Sequence, residues 1–187
     1  IGQAGIGWAF FANALGCLVT IALLVPVRVH RPQRASADKV SLRQGLASIG
    51  ERPEVGRAMV LAAIMSVFTL CMPLMYAAFA QKEFGLGVGG YSLLNSLNAA
   101  GAGLGALLSS QRTGTARLRT LTPLLAGVGV LLTGAALAPS IWVFAPLAAL
   151  AAGVSVTFSL GANALVQSRT PAQVQGRVMS LYILIVL

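Results

Sequence analysis

From Thr120 to Ser168 the chain carries no charged side chain. Few environments suit so long a run. The hydrocarbon core of a bilayer is about 30 Å thick, and a helix needs about 20 mostly apolar residues to cross it. The run is too long for one crossing, and Ala138-Pro139-Ser140 is the turn that divides it. The spacing predicts helices near 120–137 and 142–167. Inside hydrocarbon every backbone N–H and C=O must be satisfied within its own segment, so continuous apolar runs of this kind are helical.

The rest of the sequence repeats the pattern. Residues 1–27 hold a first transmembrane helix, and 58–81 a second. Glycines at 85, 87, 89 and 90 predict a turn before a helix at 91–110. A last helix starts near Val178 and runs to the end, over 178–187. The fold class read from these runs is all-α, a polytopic transmembrane helix bundle, with 58–187 as its main body. The chain starts at Ile1 and stops at Leu187 in mid-run, so both ends read as cut. The first apolar stretch has no basic residues before it, which argues against a signal peptide.

Residues 28–57 form the one long polar segment. Leu42, Leu46 and Ile49 recur at helical spacing, which predicts a short amphipathic helix along the membrane surface. Glu51-Arg52-Pro53-Glu54 reads as a turn into the second span.

The basic residues give the threading. All of the 13 Lys and Arg except Lys82 fall in alternate gaps between apolar runs. Arg28 to Arg57 fill the first gap, Arg112, Arg117 and Arg119 the third, and Arg169 and Arg177 the last. Short basic loops resist translocation. Residues 28–57, 111–119 and 168–177 are therefore expected on the cytoplasmic side. A net charge of +9 raises the question of nucleic acid. The bases lie in short loops without interleaved aromatics, so lipid headgroups are the better partner and nucleic acid is not expected.

Catalytic chemistry finds no support. The four acids, Asp38, Glu51, Glu54 and Glu83, all lie in loops, so no pair of carboxylates can meet inside the apolar runs. No buried base stands ready to activate a serine. His30 is the single histidine and sits among arginines, so no metal site is expected. Cys17 and Cys71 read as small buried helix residues rather than a disulfide or metal ligands. No cofactor is expected. Gly101-Ala102-Gly103-Leu104-Gly105 imitates a dinucleotide loop, but it lies within an apolar helix and predicts close helix packing instead.

Embedded polar side chains are the functional candidates. Asn95, Ser96 and Asn98 cluster on the helix at 91–110, while Asn163 and Gln167 lie one turn apart on the helix at 142–167, with Thr157 and Ser159 nearby. Such groups in hydrocarbon either bond to a neighbouring helix or line a cavity. Asn95, Asn98, Asn163 and Gln167 are the candidate cavity-lining set. Pro73 and Pro146 interrupt two spans and permit bends.

The segment from Asn163 to Tyr182, with Pro171 opening a loop and Gly176-Arg177-Val178-Met179-Ser180 opening a helix, resembles the connection between the tenth and eleventh helices of the major facilitator superfamily. It most resembles the bacterial branch of the enterobactin exporter and related drug efflux proteins. The chain can be laid on that family from the sixth helix to the start of the eleventh, with 28–57 as the linker between two six-helix halves. A second family element, a loop rich in glycine and arginine, falls between Gly105 and Arg119. Arg112, Gly114 and Arg117 match it, and Gln111 stands where the family often has Asp.

The resemblance implies a secondary transporter of the bacterial cytoplasmic membrane. It implies export of a small amphipathic molecule, drug- or siderophore-like, by alternating access, with protons as coupling ion. Arg112, Gly114, Gly176 and Arg177 become candidates for gating at the inner face, with Gly176 allowing a tight start to its helix. No carboxylate lies within the spans, so a coupling acid is expected in the N-terminal half or the last helix, outside this chain. The residues alone leave open a second reading, a non-transporting membrane subunit or scaffold.

Overall fold

Proline fixes where the first long helix of the bundle begins. Pro53 has no N–H to offer, which costs nothing in the first turn of a helix, and Glu54 beside it complements the positive end of the helix dipole. The computed structural model describes residues 5–25, 49–111 and 117–186. Within them every regular element is helical.

The chain divides into two units, Ile1–Asp38 and Lys39–Leu187. The first holds α1 (Gly5–Leu24), whose sequence is apolar around its whole circumference. The second holds α2 (Pro53–Ala78), α3 (Gly87–Ser110), α4 (Leu118–Ala136), α5 (Ile141–Arg169) and α6 (Ala172–Val186). Three of the helical stretches are long and apolar enough to cross a membrane: Pro53–Glu83, Leu118–Ala136 and Ile141–Arg169. At 24 residues α3 has the length, but its Gly, Ser and Asn residues set it apart in composition.

Several boundaries differ from the sequence reading. The second span starts at Pro53, inside the segment assigned to the linker, because proline opens the helix rather than the turn. Beyond Ala78 it continues as a π-helical turn, Phe79–Glu83. Helix α3 begins at Gly87, four residues early. Gly85 and Gly87 have φ of 59° and 55°, and that left-handed region makes the tight reversal between α2 and α3. Helix α5 covers 141–169 rather than 142–167. Helix α6 begins at Ala172 rather than near Val178; the carbonyl of Pro171 accepts from the N–H groups of Val174 and Gln175. Of the segment 28–57 only residues 49–57 are described. The amphipathic-helix expectation for 42–49 falls almost wholly outside them, although Ile49 packs against the α2–α6 core.

Helix α5 is the centre of the second unit, and its closest neighbour is α3. A Cβ built on Gly101 would lie 2.0 Å from the carbonyl oxygen of Ala149, and one on Gly105 would lie 2.2 Å from that of Gly153. Any side chain at either position would push the backbones apart. The Gly101–Gly105 string is thus a packing surface, meeting Ala149 and Gly153 at matching four-residue spacing. Thr157 seals the junction by donating from its hydroxyl to the Gly105 carbonyl at 3.3 Å and to the Gly153 carbonyl at 2.9 Å. Lipid tails are as apolar as leucine, so contact at this range, rather than exclusion of water, holds the pair together.

The core has two parts. One joins α2, α4, α5 and α6 through Val55, Met59, Met65, Leu121, Phe158, Leu165 and Tyr182. The other lies towards the Pro139 turn and gathers Tyr76, Ala80, Leu94, Ala135, Phe144 and Ala148. Cys17 and Cys71 are both exposed, not buried as read from sequence. In a membrane bundle an outward apolar residue meets lipid, so lying within an apolar run does not place a side chain inside the protein.

Candidate functional site

Between the two core clusters the helices part. A cavity of about 240 Å³ opens among α2, α3, α4 and α5. Its apolar wall comes from Met65, Phe68 and Met72 of α2 and Val128 and Leu132 of α4. Its polar groups are Thr69, Tyr76, Asn95, Asn98 and Ser155. Among the described residues no charged side chain lines it. Ala151 to Val156 of α5 border it, ten to fifteen residues from the start of that helix. At 1.5 Å per residue this is about 15–22 Å from the Pro139 end, near the middle of a 30 Å hydrocarbon core.

The sequence explains why a space exists there. Pro73 lines the cavity and cannot donate to the carbonyl one turn back, which weakens the α2 ladder at that level. Opposite it, Ala102, Ala151 and Ala152 are too small to fill the gap. Thr69 and Ser155 turn their hydroxyls onto their own helices, donating to the carbonyls of Met65 at 3.1 Å and Ala151 at 2.7 Å. Tyr76 is 3% exposed, and its hydroxyl donates to Oδ1 of Asn98 at 2.8 Å. Asn95, one turn earlier on the same face of α3, has no hydrogen-bond partner among the described residues.

Towards the Pro139 end an aromatic cluster closes the bundle. Phe144 stacks on Phe79 with ring centroids 4.7 Å apart, and meets Tyr76 and Phe84 edge-on at 6.2 and 5.8 Å. At the opposite end the contacts are ionic. Glu54 of α2 pairs with Arg169 of α5 at 3.0 Å, both half exposed. The guanidinium of Arg52 donates to the Arg169 carbonyl, satisfying one of the last carbonyls of α5.

The four amides singled out in the sequence separate into two pairs. Asn95 and Asn98 both line the cavity. Asn163 and Gln167 do not; Gln167 donates from Nε2 to Oδ1 of Asn163, one turn back on the same helix. Helix α5 has 29 residues, about 43 Å of length against a core of about 30 Å. Trp142, 83% exposed, is a side chain that suits the headgroup level, and Asn163 and Gln167 lie at the opposite end of this helix.

Of the gating candidates, Arg112 and Gly114 lie outside the described residues. Gly176 lies in the second turn of α6 rather than at its start, with open space where a Cβ would project. The conformational reason for a glycine there is therefore absent. Arg177 is exposed and has no hydrogen-bond or ionic partner among the described residues. Tyr76 and the Glu54–Arg169 pair escaped the sequence reading. Tyr76 reads as one more core aromatic, and Glu54 and Arg169 are too far apart in the chain for spacing to connect them.

A family model described as Major Facilitator Superfamily matches residues 1–186. The chain belongs to the major facilitator superfamily. No curated protein and no solved structure matches it. Membership makes this major facilitator a multi-pass membrane protein of a transporter family, not of an enzyme family. The bilayer surrounds it, and small molecules are the substrates that suit its class.

Proposed function

We propose that this major facilitator exports a small amphipathic molecule, drug- or siderophore-like, by alternating access, and that the cavity among α2–α5 is part of its substrate path. The observation that carries the reading is the character of that cavity. It combines methionine and aliphatic walls with a few polar groups and, among the described residues, no charge. Such a site favours a cargo that is largely apolar with a few polar atoms. Its volume exceeds the roughly 150 Å³ void that takes up benzene.

In this reading α1 is the sixth helix of a twelve-helix transporter, α2 to α6 are the seventh to the start of the eleventh, and the other half completes the path. The basic segments 28–57, 111–119 and 168–177 face the cytoplasm of a bacterial cell, as the distribution of arginines favours. Protons are the proposed coupling ion, with their carboxylate outside this chain.

The test is efflux from cells carrying the complete transporter. Asn95→Ala and Asn98→Ala are expected to lower export of a transported amphipathic dye by about tenfold between them, the scale of one or two lost hydrogen bonds. Undiminished efflux by both variants at equal membrane abundance removes the cavity from the path.

A further inference from the structure

We infer that the cavity presents hydrogen-bond donors, and that it selects neutral ligands carrying an acceptor such as a ketone, ester or amide carbonyl beside an apolar body. Tyr76 is the positioning residue that sets this preference. The inference rests on the cavity being a ligand site, as proposed above.

A neutral primary amide has two arms of opposite character. Its oxygen accepts, and its nitrogen donates twice. Free to rotate, Asn98 could offer either arm to a ligand. It is not free, because Tyr76 is almost fully buried and its hydroxyl must find a partner within the bundle. That partner is Oδ1 of Asn98 at 2.8 Å. A phenol is a strong donor and an amide oxygen a strong acceptor, so the pair locks the amide with its oxygen turned onto the tyrosine. The Nδ2 group has no partner among the described residues, and Asn98 lines the cavity. The two N–H bonds are thereby left for whatever occupies it.

Of the surrounding polar groups, Asn95 adds to the donor character. Thr69 and Ser155 commit their hydroxyl hydrogens to main-chain carbonyls, so these two groups can only accept from a ligand and the donors in the lining come from the amides. Asn95, one turn from Asn98 on the same wall, has an uncommitted amide that can turn a second donor to the same ligand. The apolar body would lie against Met65, Phe68 and Met72, where thioether sulfurs and an aromatic face suit a flat ring. Among the described residues of the lining a cation finds no carboxylate, and an anion finds no basic side chain.

The experiment compares two probes of nearly the same shape, 2-acetylnaphthalene and 2-isopropenylnaphthalene, which differ in having C=O or C=CH2. Their binding to the purified complete transporter is measured by equilibrium dialysis in detergent, with a heat-denatured sample correcting for partition into micelles. The wild type is expected to favour the ketone about fivefold. Asn98→Leu should lower that preference without abolishing it, since Asn95 still donates, while Tyr76→Phe should reduce it to about twofold by releasing the amide. Asn98→Asp, which exchanges the Nδ2 donor for an acceptor when ionised, should also lower the preference for the ketone. Equal binding of both probes to the wild type, or a ketone preference untouched by Tyr76→Phe and Asn98→Leu, overturns the inference while leaving the cavity as a ligand site. Binding of neither probe removes the underlying reading of the cavity, and this inference with it.

Discussion

The two ends of the α2–α6 unit are closed by different physics. At the Pro139 end, Phe144 is 1% exposed and packs against Phe79, Phe84 and Tyr76, with no charged group in the cluster. At the other end, Glu54 and Arg169 meet at half-exposed side chains, helped by Arg52 on a helix-terminal carbonyl. Aromatic packing of the first kind acts through many short contacts and depends little on solvent. An exposed ion pair contributes about 0–1 kcal/mol and is screened by salt. The difference teaches where this half can yield. The aromatic end is a fixed floor beneath the cavity, and the ionic end is the one that small changes can loosen.

The floor gives the larger prediction. Phe144→Ala should destabilise the protein by roughly 3 kcal/mol, the lower end for burial of this size because a bilayer supplies no water-transfer term. Thermal unfolding in detergent, followed by the reactivity of a buried cysteine reporter at Ala148, should show the transition at markedly lower temperature. A melting curve like that of the wild type would mean that the floor is not held by packing.

The ionic end gives the smaller one. Glu54→Gln should cost at most about 1 kcal/mol, and the loss should shrink further as salt rises, since the Debye length falls from about 10 Å at 0.1 M to 3 Å at 1 M. The same unfolding measurement in low and high salt checks it. A large effect that salt leaves unchanged would make this pair as structural as the aromatic floor, and the contrast between the ends would fail.

How much of this could be seen in the sequence follows from the range of each interaction. The helices were legible because hydrocarbon forces long apolar runs to satisfy their own backbones. Their starts were less so. Pro53 reads as part of a turn although proline is at home in a helix's first turn, and the apolar pattern starts α6 near Val178 although the Pro171 carbonyl accepts from the N–H groups of Val174 and Gln175. Gly101 and Gly105 read as a packing surface because small residues four apart have few other uses in an apolar helix, and the structure packs them against Ala149 and Gly153. The amides show the limit most sharply. Asn95 and Asn98 look in sequence just like Asn163 and Gln167, polar residues on an otherwise apolar face. Only the structure shows that the second pair bond to each other along their own helix, while the first face a gap. The partner that fixes Asn98 comes from another helix, and no periodicity within α3 could have named it. The same holds for Glu54 and Arg169, joined across 115 residues.

On the proposed function, cargo passes through the cavity among α2–α5. The most direct test places a cysteine at Asn95 in the complete transporter, after Cys17, Cys71 and any cysteines in the rest of the transporter are replaced by alanine. Efflux is then measured before and after treatment with a membrane-impermeant maleimide, with and without a transported cargo present. Modification is expected to block efflux, and cargo to slow the modification. Efflux that continues at its full rate after complete labelling of this position would contradict this path.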